Sequence, residues 1–201
     1  SFSPIPNVVI ASPLNELELR NMLYSAIGDD YITPIIRYPR GKGVGVKWKG
    51  EPFTKIEVGK GELLYKGVDV AILSIGPIGN RVSKAIEMLK DDGYSPTHYN
   101  MRFLKPIDEE ILHKVCQEYK AVVTVEDGSV IGGLKSAVAE FMADNDYDLK
   151  FASFGIPDKF IEQASQDEQY DICGYNTSYI YKGVKEIFDS LITKEKKSEK
   201  K

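Results

Sequence analysis

The stretch Ile35-Ile36-Arg37-Tyr38-Pro39-Arg40, followed by Gly41, Gly43 and Gly45, sets two guanidinium groups around a rigid Tyr-Pro step. It does so in a chain with 26 Lys and Arg against 30 Asp and Glu. Arginine suits a phosphate because its planar fork donates two parallel hydrogen bonds and does not titrate. Arg102 follows Tyr99-Asn100-Met101 in a β-type run and precedes Phe103-Leu104-Lys105-Pro106-Ile107-Asp108. A cation embedded in such a strand should be paired or point into a cleft. Residue types alone favour a salt bridge to a nearby carboxylate. Glu126 and Asp127 close another β-type run. There a carboxylate either steers a cofactor amine, bridges to a neighbouring domain, or is simply solvated. Residues 128–133 are glycine-rich before a helix, and free N–H groups there could receive an anion. The favoured role of Gly132 and Gly133 is a tight turn with close helix–sheet packing.

Other chemistries find little support. His98 and His113 are the only histidines, and neither has a Ser, Cys or carboxylate at triad spacing. Cys116 and Cys173 stand alone, without a CxxC pair, which suits a reducing cytoplasm and supports neither a disulfide framework nor a zinc site. Lys42-Gly43-Val44-Gly45-Val46 lacks the spacing and following helix of a dinucleotide fingerprint, and there is no phosphate-loop Lys-Ser/Thr pair. The last eight residues carry five Lys and two Glu, and the rest of the chain is acidic. That balance offers no track for a nucleic-acid backbone, and the basic end reads as a solvated, disordered tail over 193–201. No apolar run approaches the ~20 residues of a membrane helix, and no basic-then-apolar leader opens the chain. A cytoplasmic protein with neither membrane nor nucleic-acid partner is expected.

The elements that must position these residues alternate. A buried strand over 8–11 is followed by Ser12-Pro13 and a helix capped by Asn15 or Ser12. Leu14, Leu17, Leu19, Met22, Leu23 and Ala26 make its apolar face, and Gly28 ends it. A second strand over 33–39 completes a β-α-β unit, with a right-handed parallel crossover as the default. Two strands cannot stand alone as a sheet, so residues 1–40 read as the end of an α/β domain that begins outside this chain. Residues 41–54 read as a linker, and 55–67 as a short hairpin opening a new domain. Strands over 68–76, 95–103, 121–127 and 149–155 then alternate with helices over 78–91, 108–118, 132–143, 165–172 and 177–192. This spacing predicts a three-layer α/β/α domain over 55–192 with a mostly parallel sheet covered on both faces. Ligands of such sheets meet the carboxyl ends of the strands, here the loops 76–80, 102–106, 126–133 and 155–158. Arg37 lies at the equivalent end of its strand.

Taken in order, IPNVVIASPLNELELRNMLYSA, IIRYPRGKGVG, GVDVAILSIG, YNMRFLKPID, VVTVEDGSVIGG and GIPDKFIEQASQDEQY resemble the C-terminal part of the 1-deoxy-D-xylulose-5-phosphate synthase family. The likeness runs from about Ile5 to Phe188. RYPRG, MRFLKPID and GIPDKFI set it apart from the wider transketolase and 2-oxoacid dehydrogenase relatives. The resemblance implies a thiamine diphosphate and Mg²⁺ enzyme that condenses pyruvate with D-glyceraldehyde 3-phosphate and releases CO₂. Its product feeds isoprenoid, thiamine and pyridoxal synthesis. It implies that residues 1–40 are the end of a pyrimidine-binding domain and 55–192 a transketolase C-terminal domain, and that the full-length protein is a homodimer. Arg37 and Arg102 match the family arginines that hold the acceptor's phosphate, with Tyr38 and Arg40 as supports. The family's metal, diphosphate and activating-glutamate residues have no counterparts here, so no cofactor is expected on this chain and it should be inactive alone, its N-terminal domains missing. The family usually has an arginine where this chain has Ser3. The alternative reading is a non-catalytic association module, or one subunit of a split transketolase-like enzyme.

Overall fold

A computed structural model describes residues 5–28, 33–39 and 43–198. The expectations for Ser3 and Arg40 lie outside the described residues. The chain runs β1 (Val9–Ala11), α1 (Glu16–Ile27), β2 (Pro34–Ile36), β3 (Glu62–Tyr65), β4 (Val70–Ile75), α2 (Gly79–Asp91), β5 (Thr97–Asn100) and β6 (Phe103–Lys105). It continues through α3 (Glu109–Glu118), β7 (Ala121–Ser129), α4 (Leu134–Asp144), β8 (Lys150–Ile156), α5 (Gln166–Cys173) and α6 (Thr177–Ser198).

The larger sheet has the order β3-β5-β4-β7-β8. Of its four pairings three are parallel, and at the edge β3 runs antiparallel to β5. β4 is buried throughout because both its faces are covered, as its unbroken apolar sequence requires. Val70 and Ile72 pack with Val82, Ile86 and Leu89 of α2 and Ile180, Val184 and Phe188 of α6. Ala71, Leu73 and Ile75 face Leu112 and Val115 of α3 and Leu134, Val138 and Phe141 of α4. The three-layer α/β/α architecture is therefore present.

The structure departs from the sequence pattern in four places. The strand expected over 95–103 breaks in two. Arg102 takes a left-handed φ of 56°, and beyond it β6 leaves the large sheet and pairs antiparallel with β1, Ala11 opposite Phe103. The small sheet is thus β2-β1-β6, with β1 and β2 parallel. Phe103 and Ile56 join Val9, Ala11 and Met22 in one small core. Arg102 is neither glycine nor asparagine, so the run reads as continuous, although Asn100 Oδ1 accepts from Arg102 N–H at 3.3 Å in an Asx-type turn.

The hairpin expected over 55–67 is instead a single edge strand, β3. The face of α1 that is buried is Glu18, Asn21, Met22 and Ser25, whereas Leu23 is exposed. Asn21 and Ser25 on this face are met by the segment before β3: Thr54 N–H donates to Asn21 Oδ1 at 3.3 Å and Ile56 N–H to Ser25 Oγ at 2.8 Å. Arg20 donates to the carbonyls of Trp48, Glu51 and Pro52. Residues 48–56 are therefore laid along α1. Finally, α6 continues to Ser198 rather than ending near 192.

Candidate functional site

Ser12, Arg37, Gly76 and Glu126 stand at or just beyond the carboxyl ends of β1, β2, β4 and the buried part of β7. Ser12 ties two of the predicted positions together. Its N–H donates to the Arg102 carbonyl at 2.9 Å and its hydroxyl donates to the Arg37 carbonyl at 3.0 Å. Arg37 N–H in turn donates to the Ala11 carbonyl at 2.8 Å. The two sheets can approach here because Gly76 has φ 81° and no side chain. A Cβ on it would lie 2.6 Å from Ser12 Oγ.

The Arg37 guanidinium reaches across to β7, where Nη2 donates to the Asp127 carbonyl at 3.2 Å. It passes over Gly128, whose missing Cβ would lie 3.4 Å from Nη2. Arg37 lines a hollow of about 90 Å³ with Ser12, Tyr38, Ile75, Glu126 and Asp127. It also lines a larger one of about 490 Å³, walled by Ile10, Ile35, Leu104 and the loop 128–133. Tyr38 is exposed. Arg102 is not among the residues lining either hollow.

Glu126 is buried, and its two oxygens accept from Leu134 N–H and Lys135 N–H, each at 2.9 Å. The start of α4 is thus occupied by a carboxylate from the same chain. Burial pushes the Glu126 carboxyl above its ordinary range, against the opposing pull of those two N–H groups and of Arg37. Gly132 supplies a φ of 72°. A Cβ on Gly133 would lie 1.9 Å from Glu126 Oε2. The turn-and-packing role of this glycine pair is the one the structure displays. Asp127 is not merely solvated: its carboxylate accepts from Tyr170 Oη at 2.9 Å and Tyr175 Oη at 3.1 Å. Burial, then the Asp127 charge, raises both phenols. Asp127 thereby joins the Arg37 guanidinium, through its carbonyl, to α5.

Arg102 is held from two sides. Nε donates to Glu18 Oε1 and Nη2 to Glu62 Oε2, both at 2.6 Å. Glu18 also accepts from the Asn100 amide at 3.0 and 3.1 Å and from Leu14 N–H at 2.5 Å. Asn100 closes the ring by accepting from Arg102 N–H at 3.3 Å. The salt bridge favoured by residue types alone is therefore real, and it is double. The structure brings the two arginine backbones together through Ser12, while their guanidinium groups engage different partners.

His98 and His113 play packing roles. His98 is fully buried, with Nε2 2.8 Å from Ser74 Oγ, and burial drives its pKa down to about 3. His113 Nδ1 lies 2.9 Å from Tyr147 Oη and its ring packs edge-on against Phe141. Cys116 is buried, which raises its thiol pKa. Among the described residues no group of three His, Cys, Asp or Glu is placed to hold a metal ion. No helix there is long and apolar enough to cross a membrane. Sequence reasoning missed Ser12, Glu18, Glu62, Asn100, Tyr170 and Tyr175. Glu18 and Arg102 are 84 residues apart, and Glu18 reads from sequence as an ordinary acidic residue in a helix's first turn.

The family model described as the transketolase C-terminal domain matches residues 59–180. The 1-deoxy-D-xylulose-5-phosphate synthase of Parabacteroides distasonis is 51% identical over 182 residues, 90% of this chain and 29% of that protein. The enzyme of the same name from Cytophaga hutchinsonii is 48% identical over 187 residues, 92% of this chain and 29% of that protein. The chain therefore spans less than a third of the length of these relatives. Among solved structures, a split gene transketolase described as an inactive beta4 tetramer aligns with TM-score 0.79 and 30% identity, over 90% of this chain and 58% of its own. A transketolase variant from Pichia stipitis shares the fold at TM-score 0.66 and 15% identity, over 92% of this chain and 26% of its own. By fold, family match and sequence, the chain belongs to the transketolase C-terminal domain family, and within it the likeness is to the 1-deoxy-D-xylulose-5-phosphate synthases.

Proposed function

We propose that the full-length protein condenses pyruvate with D-glyceraldehyde 3-phosphate, losing CO₂ to give 1-deoxy-D-xylulose 5-phosphate. This chain's part is to hold the acceptor's phosphate through Arg37 and Arg102. The product serves isoprenoid, thiamine and pyridoxal synthesis, and the working protein is a homodimer in the cytoplasm. The observation that carries the assignment is the pair of arginines at adjoining strand ends, their carbonyls tied to Ser12. Arg102 adds a left-handed backbone of the kind that clusters at functional sites. A phosphate remote from the bond being made can orient the reacting carbonyl without changing its chemistry.

Thiamine diphosphate, bound with Mg²⁺, supplies the electron sink for such a reaction. The described residues offer no donor set for the metal, so no step through the cofactor is assigned to them. Diphosphate and metal belong to the parts of the enzyme outside this chain, and the 201 residues alone turn over neither substrate.

In the full-length enzyme, Arg102→Ala raises the KM for D-glyceraldehyde 3-phosphate by about tenfold or more, the loss of a charged hydrogen bond, while pyruvate decarboxylation persists. An unchanged acceptor KM refutes the assignment. Lysine at either position restores only part of the affinity, because the fork is lost. A second reading, a subunit of a split enzyme or a non-catalytic association module, draws on the likeness to the split gene transketolase. Mixing the chain with a candidate N-terminal partner and measuring turnover tests it. Restored turnover supports a split subunit.

A further inference from the structure

We propose that Glu62 sets the affinity of Arg102 for the acceptor's phosphate, by occupying in the free protein the guanidinium edge that the phosphate takes. The inference rests on the phosphate-holding reading above and names a residue that tunes it. The two carboxylates on Arg102 differ in kind. Glu18 is 7% exposed in its side chain. It takes the Nε edge and is fixed by Asn100 and Leu14 N–H as well, so it orients the guanidinium and does not leave. Glu62 is 45% exposed and stands at the start of β3, an edge strand, directly opposite Asn100. It bonds Nη2. With Nε committed to Glu18, the fork left for a bidentate anion is the Nη end, and Glu62 sits on it.

An ion pair open to water is weakly held, so a phosphate dianion can displace Glu62 where it could not displace Glu18. The displaced carboxylate stays beside the site and repels the phosphate, which lowers affinity further. Glu62 is thus a specificity-determining carboxylate: it screens Arg102 against weak anions and is given up to a dianion that uses the whole fork.

The test titrates glycerol 3-phosphate, which carries the acceptor's phosphate ester without its reactive carbonyl, into the full-length protein. Binding is followed by calorimetry. Glu62→Gln keeps the side-chain shape and removes the charge, and is expected to lower the Kd by about fivefold. Arg102→Ala raises the Kd and abolishes the gain in the Glu62→Gln, Arg102→Ala double variant. Glu110→Gln is the charge control, since Glu110 pairs with Lys60 at 2.8 Å instead, and it leaves the Kd unchanged. If Glu62→Gln binds no more tightly while Arg102→Ala binds more weakly, the role of Glu62 is overturned and the phosphate reading stands. A gain that persists without Arg102 also overturns it, as a general charge effect. An Arg102→Ala variant that binds as well as the parent, or no binding by parent and Glu62→Gln alike, overturns both.

Discussion

Replacing Glu18 by Gln tests whether the Arg102 guanidinium is oriented from the buried face of α1. Glu18 accepts from three donors in four contacts: the Arg102 Nε, the Asn100 amide on both oxygens, and Leu14 N–H. Gln preserves the volume but removes the charge, and its NH₂ replaces one acceptor among groups that only donate. Hydrogen bonds to charged groups contribute about 1.5–3 kcal/mol each, and removing one partner of a buried pair costs about 3–5 kcal/mol. Arg102 keeps Glu62, so the lower part of that range applies, about 3 kcal/mol. Arg102→Ala alone should cost about 3–4 kcal/mol, since it leaves Glu18 buried without its cation. If the two residues act as one unit, the double variant loses less than the separate losses combined, with a coupling of about 1.5–2 kcal/mol. Urea unfolding followed by far-ultraviolet circular dichroism gives the four free energies. Trp48 fluorescence reports independently on the segment bound to α1, because its carbonyl accepts from Arg20. A coupling below about 0.5 kcal/mol would refute the proposition that Glu18 holds Arg102.

Two further outcomes can be checked. His98 is held to a pKa of about 3 against 6.5 for an ordinary histidine. The unfolded chain therefore binds more protons between those values, and stability falls as pH drops through 6.5. From pH 7 to pH 5 the parent should lose about 2 kcal/mol relative to His98→Asn in urea melts, and parallel pH profiles would refute the buried neutral ring. Gly133→Ala places a Cβ 1.9 Å from Glu126 Oε2 and 2.7 Å from the Ser129 carbonyl. The carboxylate is pinned by two N–H groups and the carbonyl is backbone, so about 2–3 kcal/mol of stability should be lost. An unchanged urea midpoint would mean the carboxylate does not sit at that helix end.

The large domain was legible because its signals are local. Strand and helix lengths, the Asp108 cap, the glycine pair before α4 and the doubly buried β4 follow from patterns a few residues long. The site was legible only in part. Arg37 stood out by its place after a strand and before Pro39. Arg102 stood out as a cation in an apolar run, but its carboxylate partners did not. The helical period shows which residues of α1 share a face and not what that face meets. Glu18, Asn21 and Ser25 lie outside the apolar face read from the sequence, yet the fold buries them. The bend that sends β6 into the other sheet was hidden because an arginine carries it.

The sequence by itself determined the layer order, the mostly parallel sheet, and the place of Arg37 and Arg102 near the ends of strands. Tertiary structure alone decided that β6 completes the small sheet and that Ser12 joins Arg37 to Arg102. It alone decided that Arg102 lies between a buried and an exposed carboxylate. Those partners are 84 and 40 residues away along the chain. Ion pairs and hydrogen bonds depend on distances in space, and a local pattern carries no information about which distant side chain the folded backbone will bring within 3 Å.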